Sequence, residues 1–216
     1  MLPIGDDNTG RRSVPLVTFA LIAVNVLVFF LELSGGDALI ERWAFVPSRF
    51  LQDPVGDFPT LFSAMFMHAG WLHLGSNMLY LWIFGDNVED RFGRIKYLFF
   101  YLVCGLAATF AQLVFNMNSN IPNLGASGAV AGVLGAYILL FPGKQIRVLL
   151  GNSVASVSAL IVIGLWIVLQ LFSGVASITT AAADTGGVAF MAHIGGFLAG
   201  LVLTLLFRGN QRQLTA

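Results

Sequence analysis

The sequence predicts an all-α membrane protein, a bundle of six transmembrane helices, on two composition figures and one pattern. Hydrophobic residues make up 57% of the 216-residue chain and charged residues only 10%, against the roughly 25% charged of a globular domain. The apolar residues gather in runs of the roughly 20 residues that a bilayer core demands. Formal net charge is zero, which offers nothing to nucleic acid. The single cysteine, Cys104, lies inside an apolar run and can form neither an intramolecular disulfide nor a CxxC metal site.

Residues 1–13 are polar and end in Arg11-Arg12-Ser13, and residues 14–33 form the first span. That run is too long for the apolar part of a signal peptide, and no small-x-small cleavage site follows it, so it is expected to stay in the mature protein. Between 34 and 69 the charges Asp37, Glu41, Arg42, Arg49, Asp53 and Asp57 alternate with Trp43, Phe45, Phe50, Phe58, Phe62 and Phe66. This is the pattern of a segment lying among lipid headgroups, and it is expected to be an outer, interfacial loop between spans one and two. Span two covers 72–86 and continues as helix to 92; span three is 97–115, span four 124–141, span five 154–172 and span six 187–207. The expected organisation is a cytoplasmic segment 1–13, a six-span domain 14–207 and a cytoplasmic tail 208–216.

Lysine and arginine set the orientation. Arg11, Arg12, Arg91, Arg94, Lys96, Lys144, Arg147, Arg208 and Arg212 fall on one side, and only Arg42 and Arg49 on the other. The richer side is cytoplasmic, with both termini.

Spans two, four and six then all run from outside to inside, so their first turns share the outer leaflet. Each carries a polar residue there: His73 and Asn77, Ser127, and His193. At 1.5 Å per helical residue these lie roughly 5 to 14 Å below the outer boundary. His73 and Asn77 are four apart and share a helix face. Polar and ionisable side chains at membrane depth normally face the bundle interior and mark function.

Such a set suits nucleophilic acyl transfer. A serine hydroxyl becomes a good nucleophile when a histidine takes its proton, and donors aimed at the developing oxyanion stabilise the transition state. Ser127 is the expected nucleophile and His193 the base. Asn77, His73 and the Ser127 backbone N–H are the expected oxyanion donors. Ser127 sits in the small-residue stretch Asn123-Leu124-Gly125-Ala126-Ser127-Gly128-Ala129-Val130-Ala131-Gly132 that opens span four.

These residues resemble the rhomboid intramembrane serine proteases. Gly125-Ala126-Ser127-Gly128 matches that family's G-x-S-G, Ala192-His193-Ile194-Gly195-Gly196 through Gly200 its A-H-x-x-G-x-x-x-G, and His73 with Asn77 its H-x-x-x-N. The likeness covers 14–207 and implies a rhomboid-like six-span bundle. Its Ser/His dyad, without an acidic third member, would cleave single-pass membrane proteins at or just inside the membrane. It also implies that no metal or organic cofactor is needed. Where several relatives place a tyrosine that packs on the histidine, this chain has Ala131. Some relatives also have Trp-Arg in the outer loop, whereas the order here is Arg42-Trp43. Span five and the loop after it are expected to move aside for substrate, with Trp166 and Phe172 as gate residues. Lacking an acid, the dyad is expected to turn over slowly.

Plainer readings stand beside these. Gly125, Gly128, Gly132 and Gly135 would let span four approach span six closely through Gly196 and Gly200. His73 and Asn77 would serve as interhelical hydrogen-bonding groups, and Trp166 and Phe172 as packing or lipid-facing residues. His68 is assigned to structure or to holding water, and Glu89 to structural support. Gln112 and Asn116 are assigned to holding the hydrolytic water or to helix-end polarity. Asp184, the one acid near span six, is a minor candidate partner for His193. Two rival functions remain: a rhomboid-like pseudoprotease that binds and escorts membrane helices, and a small transporter. The transporter would call for internal repeats or charges in mid-span, and the sequence has neither. The expected partners are single-pass substrates and the lipid bilayer, the expected location the plasma (inner) membrane.

Overall fold

The computed structural model describes residues 2–179 and 189–209. Helix α1, Leu16–Trp43, runs ten residues beyond the expected first span and kinks at Gly36, whose φ of 60° and ψ of −156° only glycine adopts easily. Two short helices follow, α2 (Pro47–Gln52) and α3 (Thr60–Ser63), then a 3-10 turn at Ala64–Phe66. The bundle is completed by α4 (Trp71–Phe92), α5 (Arg94–Phe115), α6 (Ser127–Leu140), α7 (Ala159–Thr179) and α8 (Phe190–Gly209).

Each of the six expected spans therefore contains a helix, and among the described residues four of these, α1, α5, α7 and α8, are long and apolar enough to cross a membrane. The other two differ for separate reasons. α4 carries Asp86, Glu89, Asp90 and Arg91 in its last two turns. α6 has only 14 residues, about 21 Å at 1.5 Å per residue.

The all-α expectation needs one correction. Leu2–Asp6 forms β1, Gln145–Leu150 forms β2 and Ser153–Ser158 forms β3, an antiparallel sheet in the order β1-β2-β3. Residues 154–158, expected to begin span five, lie in β3, because short apolar and small residues suit a strand as well as a helix. A tight turn at Gly151, with φ of 59°, joins β2 to β3. Ile146 and Val148 point from β2 into the core.

β1 is tied to the helices through Asp6. Its carboxylate accepts from Tyr137 Oη of α6 at 2.6 Å and from Asn87 Nδ2 of α4 at 2.8 Å. Burial pushes the Asp6 carboxyl up to about 6, with the Tyr137 hydrogen bond opposing. Nearby, Lys144 Nζ donates to Asn87 Oδ1 at 2.5 Å, and Arg11 pairs with Asp86 at 2.5 Å.

Glu89 supports the fold, as expected. Its carboxylate accepts from the Val17 and Thr18 amides at 2.9 and 2.7 Å and from the Thr18 hydroxyl at 2.8 Å. These are amides of the first turn of α1, which no intrahelical carbonyl can reach.

Candidate active site

The central contact is between α6 and α8, and glycine allows it. A β-carbon on Gly196 would collide with the Gly128 carbonyl oxygen, one on Gly200 with that of Gly132, and one on Gly132 would lie 3.2 Å from the Gly196 oxygen. The two backbones touch along this line. Ser127, next to Gly128, and His193, about one turn before Gly196, thereby lie toward the same end of the crossing.

Ser127 is the first residue of α6. The first helical bond there is Val130 N–H to the Ala126 carbonyl at 3.0 Å, so the amides of Ser127 and Gly128 precede the intrahelical ladder and remain available as donors. The turn before it is pinned to the segment between α1 and α4: Asn123 and Phe45 exchange backbone hydrogen bonds of 2.7 and 3.2 Å, and the Gly125 amide donates to the Ala64 carbonyl at 2.8 Å. Gly125 has φ of +133°, a value that disfavours any side chain. A small cavity lined by Ala64, Met65, Ser127, Gly128, Ala189 and Ala192 opens here.

His73 completes this side. A β-carbon built on Gly125 would lie 2.8 Å from His73 Nε2 and 3.6 Å from Ser127 Oγ, so the imidazole and the hydroxyl flank one small space. On its far side, His73 Nδ1 accepts from the Ala69 amide at 3.4 Å. A nitrogen that accepts has no proton, so the neutral ring carries its proton on Nε2, the nitrogen facing Ser127. Asn77 is buried, but its Nδ2 donates to the His73 carbonyl at 3.0 Å, one turn back on α4.

His193 is 8% exposed. Its Nδ1 lies 2.7 Å from Gln170 Oε1 of α7, and the Trp166 indole packs on its ring, with centroids 5.7 Å apart and planes at 38°. Trp166 and Gln170 are one turn apart on the side of α7 that faces α8. No hydrogen bond joins Ser127 Oγ to His193 among the described residues. Asp184 lies outside them.

Other sequence candidates take structural places. Gln112 Oε1 accepts from the Ala192 amide at 3.2 Å, capping the first turn of α8, and Asn116 Nδ2 reaches the Gln112 carbonyl at 3.4 Å. These bonds fit the helix-end reading. Phe172 is 74% exposed, whereas Trp166 is turned inward, so the two gate candidates are not on one face. The His68 ring lies edge-on to His73 with centroids 5.0 Å apart. Among the described residues, no group of three or more His, Cys, Asp or Glu side chains is placed to hold a metal ion.

Two residues escaped the sequence reading. Gln170 was visible as an amide in an apolar run, one turn after Trp166. Glu32, at the end of the first apolar run, is 4% exposed, and both its oxygens lie 3.1 Å from the His68 amide. It fixes the backbone that leads into α4 and His73.

The chain is similar to several known proteins. The chain is 34% identical to "Rhomboid protease GluP" of Bacillus subtilis over 148 residues, 67% of this chain and 29% of that one. It is 32% identical to "Rhomboid protein 1, mitochondrial" of Saccharomyces cerevisiae over 136 residues, 60% and 38% of the two chains. With "Putative rhomboid protease YdcA" of Bacillus subtilis it shares 28% over 129 residues, 60% and 64%. The chain thus spans about a third of the length of the first two relatives. A model of the Rhomboid domain matches residues 55–210, which takes in α4 to α8 with Ser127, His193, His73 and Asn77, and the chain belongs to the Rhomboid family.

Proposed function

We propose that this chain is an intramembrane serine endopeptidase that cleaves single-pass transmembrane proteins at or just inside the outer leaflet. The observation that supports the proposal is the glycine-lined crossing of α6 and α8, with a serine at a helix N-terminus and a histidine, its Nδ1 already engaged, toward the same end. In this reading six helices cross the bilayer with both termini in the cytoplasm of a plasma (inner) membrane. The length of α6 supports it. A helix of about 21 Å cannot cross a hydrocarbon core of about 30 Å. With its C-terminal end at the inner boundary, Ser127 lies roughly 9 Å below the outer one.

His193 Nε2 takes the Ser127 proton as Oγ attacks the scissile carbonyl carbon. The carbonyl oxygen becomes an oxyanion held by the Ser127 and Gly128 amides and His73 Nε2–H, with Asn77 Nδ2 as a further donor. His193 returns the proton to the leaving amine, and the acyl-enzyme forms. Water, deprotonated by the same nitrogen, then attacks the ester carbonyl and releases Ser127. All of these groups belong to the chain, so the reading calls for no metal or organic cofactor. The lining of Ala64, Gly128, Ala189 and Ala192 suits a small side chain beside the cleaved bond. Phe172, exposed on the outer part of α7, is retained as a gate residue; the Trp166 contact with His193 favours a supporting role for that ring.

Cleavage of a single-pass reporter by purified wild-type, Ser127→Ala and His193→Ala protein, with fluorophosphonate labelling, tests the proposal. Cleavage and labelling in the wild type, lost in Ser127→Ala, with cleavage lost in His193→Ala, is the expected result. A folded wild-type protein that does neither would favour a pseudoprotease that binds and escorts membrane helices.

A further inference from the structure

We infer that Gln170 is a positioning residue of the active site. By accepting a hydrogen bond from Nδ1–H of His193 it fixes the tautomer that leaves Nε2 free as the base, and it makes the placement of α7 a condition of catalysis. The inference rests on the serine protease reading above.

A neutral imidazole has one N–H and one lone pair, and the partner of the first nitrogen decides the role of the second. Gln170 Oε1 can only accept, so Nδ1 at 2.7 Å must donate. Nε2 then holds the lone pair that a serine proton requires. When Nε2 takes that proton, Nδ1–H keeps its bond to Gln170 and no proton passes to the amide. The amide orients the ring but brings no negative charge to the imidazolium.

Trp166, one turn away on the same face, adds a second restraint. Its indole covers the His193 ring and also approaches Phe197, at 6.4 Å between centroids. Orientation and tautomer are thus both set from α7, where Ala131 offers no aromatic ring from α6. Below them Ala159, Val162 and Ile163 of α7 are buried, while Leu165, Val168, Leu169 and Phe172 on its other faces are exposed. The helix is anchored at one end by apolar contacts, and at the level of His193 it is joined to α8 by this amide and indole. Moving α7 away from α8 there by more than a hydrogen bond's length removes both supports together.

The test uses the full chain, with Gln170→Leu to remove the acceptor and Gln170→Glu to keep one and add charge. Three quantities are read: the rate of fluorophosphonate labelling at Ser127, kcat and KM on a single-pass reporter, and the pH profile of kcat/KM. Gln170→Leu is expected to slow labelling and lower kcat by about 10- to 100-fold, the range known for losing a group that orients a metal-bound histidine, with KM little changed. Gln170→Glu is expected to restore most of the rate and to move the acid limb of the profile to higher pH, because a carboxylate holds the proton on His193 more tightly. A Gln170→Leu protein that labels and turns over at the wild-type rate overturns the inference, as does a Gln170→Glu protein whose acid limb does not move. Where Gln170→Leu fails to fold, the Gln170→Glu profile decides alone. A wild type that neither labels nor cleaves overturns the protease reading and this inference with it; a working wild type with an unimpaired Gln170→Leu overturns only the inference.

Discussion

The ring of His73 occupies the space where any side chain on Gly125 would have to go, with Nε2 2.8 Å from the position of a β-carbon there. Gly125→Ala therefore meets two penalties, the ring and a φ of +133°, a strain on the order of 1–3 kcal/mol. We expect the variant to fold but to lose at least tenfold in kcat as His73 and Ser127 are pushed apart. Labelling and turnover at the wild-type rate would show that the close approach of His73 is incidental.

In the proposed mechanism His73→Ala removes a donor to the oxyanion, and one such donor is worth on the order of a hundredfold in rate. Asn77→Ala should cost less, because in this structure the Asn77 amide is bonded to the His73 carbonyl within its own helix. Steady-state kinetics on one reporter would rank the two. Equal losses would mean that Asn77 turns to the oxyanion when substrate binds.

Trp166→Ala and Phe172→Ala should change activity in opposite directions. Loss of the indole frees the His193 ring and slows cleavage, whereas trimming the exposed Phe172 eases access along α7 and speeds it. Faster cleavage by Trp166→Ala would return that residue to the gate.

Glu89→Ala strips partners from two amides in the first turn of α1 and from a buried hydroxyl, at a cost of about 2 kcal/mol. The expected result is a lower thermal midpoint in detergent. An unchanged midpoint would mean that water takes over the cap.

Asp6 gives the docking of β1 a pH dependence. Its folded-state value, about 6, lies above the ordinary 3.8, so the folded chain binds the proton more tightly than the unfolded chain. The contribution is fully present below pH about 4 and is lost as pH rises through about 6. Hydrogen exchange of the β1 amides should therefore be slower at pH 5 than at pH 8 once the intrinsic rate is allowed for. Asp6→Asn should flatten this difference, and an unaltered difference would assign it to another group.

The helices were legible because apolar runs contrast sharply with Arg91, Arg94, Lys144 and their neighbours, and a bilayer leaves the backbone few alternatives. Ser127, His193 and His73 stood out as candidates because polar groups within apolar runs need a reason to be there. The sheet was not, since β1 finds its partner across more than half the chain, and nothing local in Leu2–Asp6 announces Gln145–Leu150. Gln170 and Trp166 were hidden for another reason. Their roles depend on how α7 is rotated about its axis, and an almost uniformly apolar helix carries little amphipathic pattern to fix that rotation.

The pairing of β1 with β2 also orders biosynthesis. Leu2–Asp6 is translated well before its partner strand, which is made only after α6. Until then the segment has no edge to join, and Asp6 has no completed sheet to hold it against Asn87 and Tyr137. Six helices, α1 to α6, must be made first, so the sheet closes over a bundle whose serine-bearing helix already exists, a late fastening rather than a nucleus.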